Sequence, residues 1–240
     1  MSIDGFYEEV HRSYYPESDK AIASVAQDRL NKCRLVLRDM SFRSILNVGF
    51  ESIAAANYLV SGRHIDRYCL VDIDKTVVER AIGDGFESFV TNVDVDPLPF
   101  DDEAFDVLYA GELIEHLFSP DHFLSEAHRV LKTSSKMVLT TPNIASWYNR
   151  LLLLCGLEPV NCESSCKFIL GRKFDFLGEY GRPVGHIRVF NREALSKILE
   201  LNGFHMEALI GYSRSDIPLD RLFSRFVSLA SGFICVARKD

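Results

Sequence analysis

The chain has 240 residues, of which 47% are hydrophobic and 11% aromatic, with a formal charge of −7 and a pI near 5.5. A sequence of this length and apolar content can close one α/β domain without disulfide or metal staples. Its acidic balance excludes a nucleic-acid backbone as the main partner, because neutralising phosphates takes clustered Lys and Arg.

The opening residues, as far as Tyr15, are acidic and aromatic and lack the basic-then-apolar order of a signal peptide. No apolar run is long enough to span a bilayer, so a cytoplasmic protein is expected. From Asp19 to Met40 the residues Ile22, Val25, Leu30, Cys33, Val36 and Leu37 recur at helical spacing and predict an amphipathic leading helix. Ser44–Gly49 reads as a buried parallel strand and Ile53–Val60 as a helix. Tyr68–Asp72 is a second strand, followed by a helix over Lys75–Ile82 with Asp74 placed to cap it.

Phe89–Asn92 and Phe105–Ala110 supply the third and fourth strands. Ser119 and Pro120 then stand as N-cap and first residue of a helix reaching Leu131, and Lys136–Thr140 is the fifth strand. Asn143 to Val189 breaks this rhythm with Gly, Cys and aromatics, which marks it as an insertion. Asn191 caps a helix through Leu201, and Phe204–Tyr212 and Phe233–Arg238 read as the last two strands, joined by the amphipathic stretch Leu219–Leu229. Strand–helix alternation of this kind predicts a doubly wound α/β fold, which binds ligands at the carboxyl ends of its central strands. The six cysteines read as reduced thiols. Cys162 and Cys166, with three residues between them, lack the further ligands of a zinc site, so no metal is expected.

Asp72 ends the second strand 23 positions after Gly49, where a carboxylate can accept two hydrogen bonds from a ribose diol. Asp94 follows the third strand, placed to accept the amino protons of an adenine that packs on Val95. No dinucleotide glycine pattern, P-loop or nucleophile elbow occurs, which sets aside a nicotinamide oxidoreductase.

The block from Asn92 to Asn143 resembles the S-adenosylmethionine (SAM)-dependent methyltransferases of the ubiquinone-biosynthesis-like type. Leu98-Pro99-Phe100, Phe105-Asp106, Glu115-His116, Glu126, Arg129-Val130-Leu131-Lys132 and Thr141-Pro142-Asn143 match that family's pattern in order. The resemblance extends to Ser44–Asp74 and His186–Phe204. It implies a Rossmann-like class I methyltransferase fold in a single domain, residues 1–240. The sheet would be seven-stranded, mostly parallel with the last strand antiparallel, and flanked by helices. It further implies SAM as cofactor, with the ribose at Asp72 and Ile73, the adenine at Asp94 and Val95, and the methionine end near Gly49, Ala110, Gly111 and Glu112.

The family's glycine-rich first loop is degenerate here. Asn47, Val48, Gly49, Phe50, Glu51, Ser52 and Ile53 keep one of its glycines, and the leading acid is an amide. Asn47, Phe50 and Glu51 are counted with the cofactor residues, Glu51 facing the cationic end of SAM. The alternative is that SAM binding is lost and the chain is a catalytically inactive binding or regulatory protein.

Residues 143–189 are expected to form the acceptor wall, with Trp147, Tyr148, Arg150, Tyr180 and His186 as substrate contacts, or else to build a small core of their own. His186 is the candidate catalytic base, since its ordinary pKa suits proton removal near neutrality. Residues 1–40 form the leading helix and a lid over the cofactor. The expected partner is a small-molecule or glycan acceptor, methylated at oxygen.

Overall fold

Residues 24–50, 52–171 and 183–240 are described by the computed structural model. The expected N-terminal lid, the first turn expected of the leading helix, Glu51 and Tyr180 lie outside them. Within them the chain runs α1 (Ser24–Arg38), β1 (Ser44–Val48), α2 (Ile53–Val60), β2 (Arg67–Asp72), α3 (Lys75–Gly83), β3 (Glu87–Val90) and β4 (Phe105–Gly111). A 3-10 turn (Ile114–His116) leads to α4 (Pro120–Val130), β5 (Leu131–Pro142), α5 (Trp147–Leu154), α6 (Arg192–Leu201), β6 (Phe204–Tyr212), α7 (Pro218–Phe223) and β7 (Gly232–Lys239).

The seven strands form one sheet in the order β3-β2-β1-β4-β5-β7-β6. β1 to β5 are mutually parallel, and β7 runs antiparallel to both β5 and β6. Strand order reverses between β1 and β4, which opens a crevice at their carboxyl ends. Period-two alternation divides the core between the two faces of the sheet. Leu46, Leu108, Ala110, Leu139 and Cys235 pack toward α4 and α6, whereas Ile45, Val107, Tyr109, Val138 and Ile234 pack toward α1. Both faces are covered, which is why these strands read as continuous apolar runs.

Two strands depart from expectation. β3 begins at Glu87, not Phe89, because its backbone already pairs with β2 at Cys69, where Arg67 and Glu87 also form a two-pronged ion pair. It ends before Asn92, whose side chain accepts the Asp94 N–H and turns the chain out of the sheet. β5 is longer than Lys136–Thr140: α4 passes into it without a loop, and Leu131 already pairs with Phe105. Asp74 and Asn191 cap α3 and α6 through their side chains as predicted, while Ser119 occupies the N-cap of α4 without a side-chain cap bond. No helix among the described residues is long and apolar enough to cross a membrane.

The matched motif residues after β3 hold loops in place. Glu126 and Arg129 pair on α4, and Arg129 also donates to the carbonyls of Leu98 and Phe100 while Glu126 accepts the Leu98 N–H. The Leu-Pro-Phe loop is thereby latched to α4. Asp106 does similar work at the foot of β4, accepting from the amides of Arg43 and Ser44 and from Lys132 Nζ at 2.6–2.9 Å.

Burial works against the Asp106 charge, yet the bonds from Lys132, Arg43 and Ser44 outweigh it and hold the carboxyl well below its ordinary range. A depressed native pKa stabilises the fold fully above the unfolded value of about 3.9, and that stability is lost as pH falls through the native value. Asp106→Asn is therefore expected to lower Tm at neutral pH and to flatten its further decline below about pH 4. Calorimetric melting of both proteins across that range checks this; parallel curves would refute it.

Candidate active site

The turn after β1 is set by Gly49, whose φ of +69° is disfavoured for side-chain-bearing residues. A Cβ there would also stand 3.0 Å from Leu113 Cδ1. The one glycine that this loop keeps is thus the one its geometry demands. Phe50 does not fill the crevice: its ring is 1% exposed and packs with Ala56, Leu70, Val78 and Ala81 beneath α2 and α3. Ile53 packs against the same cluster. Asn47 is buried within β1, donating to the Tyr68 hydroxyl, which in turn donates to the Ala56 carbonyl.

Asp72 closes β2 at the mouth of the crevice, and its Oδ1 accepts the Asp74 N–H at 2.9 Å. Asp94 is 3% exposed, and its two oxygens accept the amides of Phe118 and Ser119 at 3.0 and 2.8 Å. It therefore anchors the approach to α4 while standing at the end of the β3 loop. Val95, next to it, is 57% exposed and offers an apolar surface.

At the end of β4, Gly111 leaves room for the Tyr109 ring, since a Cβ would lie 2.5 Å from its hydroxyl. Glu112 follows with φ +50°, and its Oε1 accepts hydrogen bonds from Thr140 Oγ1 and the Tyr212 hydroxyl, both at 2.9 Å. Arg29 from α1 lies in the same buried group, with Nη1 3.4 Å from both the Tyr109 hydroxyl and Thr140 Oγ1. The helical pattern alone did not mark Arg29. Its place one turn before Cys33, on the apolar stripe, was the available signal. Burial, followed by the charge of Glu112, raises the Tyr212 pKa well above its ordinary value, so this hydroxyl keeps its proton.

Beyond Glu112, the turn at 114–116 brings Glu115 and His116 against His186. Potential ligand atoms of these three residues all lie within 4.8 Å of one another, and the two imidazole centroids are 5.0 Å apart. Glu115 is 2% exposed; its Oε2 accepts from Thr141 Oγ1 at 3.0 Å. Burial and the Glu112 carboxylate push Glu115 well above the usual carboxylate range. The segment carrying His186 is fixed twice. The Glu115 carbonyl accepts the amides of Ile187 and Arg188, and the Glu163 carboxylate accepts those of Val184, Gly185 and His186. Glu163 was not singled out from the sequence, where it reads as one more polar residue in an irregular stretch.

The other predicted acceptor contacts are held elsewhere. Trp147 donates its indole N–H to Asp220 and stacks on Phe223, and Tyr148 is 2% exposed in the same cluster. Arg150 donates to the carbonyls of Ala145 and Ser228. The first part of the insertion thus builds a small core against α7, and of the expected contacts among the described residues His186 alone is brought beside the turn after β4.

Residues 46–139 match the family model described as a methyltransferase domain. None of the curated proteins compared matches the chain. Among solved structures, the fold is similar to the methyltransferase bound to the Haloferax volcanii Trm112 methyltransferase activator, at a TM-score of 0.65 and 15% identity over 99% of this chain and 97% of that one. The PH0226 protein of Pyrococcus horikoshii superposes with a TM-score of 0.61 and 19% identity over 98% of each chain. A SAM-dependent methyltransferase from Aquifex aeolicus does so with 0.57 and 14% over 100% of each. Residues 46–139 thus match a methyltransferase domain, and the chain as a whole has the fold of class I methyltransferases.

Proposed function

We propose that the chain moves a methyl group from SAM to an oxygen of a small-molecule or glycan acceptor. The observation that carries this reading is the crevice between β1 and β4. It keeps Gly49 at positive φ and Asp72 at its mouth, while the Phe50 ring is turned into the core and leaves it clear.

In this reading Asp72 holds the ribose diol, Ile73 flanks it, and Val95 lies against the adenine beside Asp94. The backbone from Asn47 to Phe50 and from Ala110 to Glu112 lines the methionine end, where Arg29 supplies a cation suited to a carboxylate. When bound, the cofactor supplies an electrophilic methyl group on a sulfonium, which is displaced in line. The chain's own part is to align the acceptor, exclude water and receive the hydroxyl proton, for which the His186 imidazole is the base.

The full chain should bind S-adenosylhomocysteine with micromolar affinity in a calorimetric titration. Tritiated methyl from SAM should then pass to members of a panel of sugars and small alcohols, and not to matched amines. Transfer confined to amines would remove the oxygen assignment. No binding at millimolar ligand by folded protein would leave the alternative, a methyltransferase-like binding protein, whose motivation is the single glycine of the first loop.

A further inference from the structure

We propose that Glu163 is a positioning residue for methyl transfer, which sets the His186 imidazole against the acceptor hydroxyl without itself touching the reacting atoms. This rests on the reading of His186 as the base, and it names what holds that base in place.

The segment from Val184 to Arg188 forms neither helix nor strand, so its backbone donors must find partners outside it. Five consecutive amides are satisfied by two glutamates. The Glu115 carbonyl accepts those of Ile187 and Arg188 at 2.8 and 2.9 Å. Glu163 Oε1 accepts that of Val184 at 2.6 Å, and Oε2 accepts those of Gly185 and His186 at 2.7 and 3.1 Å. Gly185 has φ +87°, a conformation that turns successive N–H groups toward one anionic acceptor. Glu115 contributes through its main chain, which any residue at that position would supply. Glu163 contributes through its carboxylate, so here the residue type decides.

The same segment is fastened on its other side. His116 Nδ1 donates to the Gly185 carbonyl at 3.1 Å, and Arg188 donates to the Phe118 carbonyl at 2.7 Å. His186 thus stands between the insertion and the turn after β4, its ring centroid 5.0 Å from that of His116.

Glu163 itself rests on a rigid base. Asn161, two residues earlier and 2% exposed, accepts the Asn149 side-chain amide at 2.8 Å. Asn149 also accepts the Val160 N–H at 2.8 Å and donates to the Asn143 carbonyl at 3.3 Å. A relay of buried side chains therefore runs from the end of β5 through α5 to the residue beside Glu163's turn. Support of this kind holds a reacting side chain to about 0.5 Å, and a misplacement of about 1 Å costs on the order of 100-fold in rate. In the transfer step the acceptor oxygen bonds to the methyl carbon as the carbon–sulfur bond breaks, and the hydroxyl proton passes to His186. The alignment of that imidazole is what Glu163 controls. Glu163 lies on the insertion, apart from the residues assigned to the donor, so its effect falls on kcat and not on donor affinity.

The test is kinetic, with the full chain, SAM and the sugar or alcohol of the panel that the parent methylates fastest. Glu163→Ala should lower kcat by roughly 30- to 100-fold. Glu163→Gln should lower it less, since its amide keeps one of the two acceptor oxygens. Affinity of both for S-adenosylhomocysteine should stay within about twofold of the parent. Introduced into His186→Ala, the change Glu163→Ala should cost less than about twofold more, because residues that act as a unit are not additive. A merely structural role would instead multiply the two losses. Amide exchange supplies a readout that needs no acceptor: residues 184–186 should exchange roughly tenfold or more faster in Glu163→Ala, with circular dichroism matching the parent. Parent-like kcat in Glu163→Ala, multiplied losses in the double variant, or unchanged exchange would each overturn the proposal. Failure of the parent to methylate any member of the panel would remove the methyl-transfer reading together with it. Transfer lost in His186→Ala but kept in Glu163→Ala would remove the role of Glu163 alone.

Discussion

Asp72→Ala is expected to lower affinity for S-adenosylhomocysteine by about 100-fold or more, while the protein stays folded. A carboxylate accepting two ribose hydroxyls contributes charge-assisted hydrogen bonds of about 1.5–3 kcal/mol each. Loss of both removes roughly 3 kcal/mol or more, and every 1.4 kcal/mol is a factor of ten. The substitution also removes the acceptor for the Asp74 N–H, but Asp74 keeps its own cap bonds to Thr76 and Val77. Asp72→Asn separates the two effects. It retains an oxygen for the Asp74 amide while losing the charge and one acceptor, so its fold should match the parent and its affinity should fall between the two. Calorimetry of all three proteins decides the matter. Parent-like affinity in Asp72→Ala would mean that the nucleoside, if bound at all, sits elsewhere than at the end of β2.

The sheet was legible because its signals are local. Continuous apolar runs ending in Gly49 or Asp72 announce buried parallel strands, and Asp74 and Asn191 announce the helix starts that they cap. Strand ends were less legible because partners decide them. Glu87 joins β3 by pairing with Cys69 of β2, beside an ion pair with Arg67, and no pattern within residues 87–92 encodes that meeting. The site divides along the same line. Gly49 and Asp72 stand where strand ends had to put them. Phe50 was counted with the cofactor residues because a sequence shows a residue's place in a loop without its direction, and its direction is set by Leu70, Val78 and Ala81 on other elements. The grouping of Arg29, Tyr109, Glu112 and Tyr212 joins residues up to 183 positions apart, so only the folded chain displays it. Glu115 and His116 were visible as a pair, yet the His186 ring they meet arrives 70 residues later on a segment held by Glu163.

Asp220→Ala is expected to be the most destabilising single substitution in the C-terminal half, at about 3–5 kcal/mol. The Asp220 side chain is fully buried, and five donors converge on it. Oδ1 accepts the Trp147 indole N–H at 2.9 Å and the Ser231 hydroxyl at 2.6 Å, while Oδ2 accepts the amides of Arg214 and Ser215 and the Ser215 hydroxyl. One carboxylate on α7 thereby ties α5, the start of β7 and the turn after β6 into a single unit. Removing it strands several buried donors at once, each costing about 1–3 kcal/mol when left unpaired, less whatever water enters to replace it. The Trp147–Tyr148–Leu152–Val160 cluster loses its polar anchor with it. Trp147→Phe is the informative companion. It keeps the stack on Phe223 at 5.4 Å and removes one donor, so its cost should be a fraction of the aspartate's. Urea unfolding of the three proteins, with equal m-values confirming comparable transitions, gives both differences. A loss below about 1 kcal/mol for Asp220→Ala would show that the unit is held by its apolar contacts, and that the buried carboxylate does not fasten the insertion to the sheet.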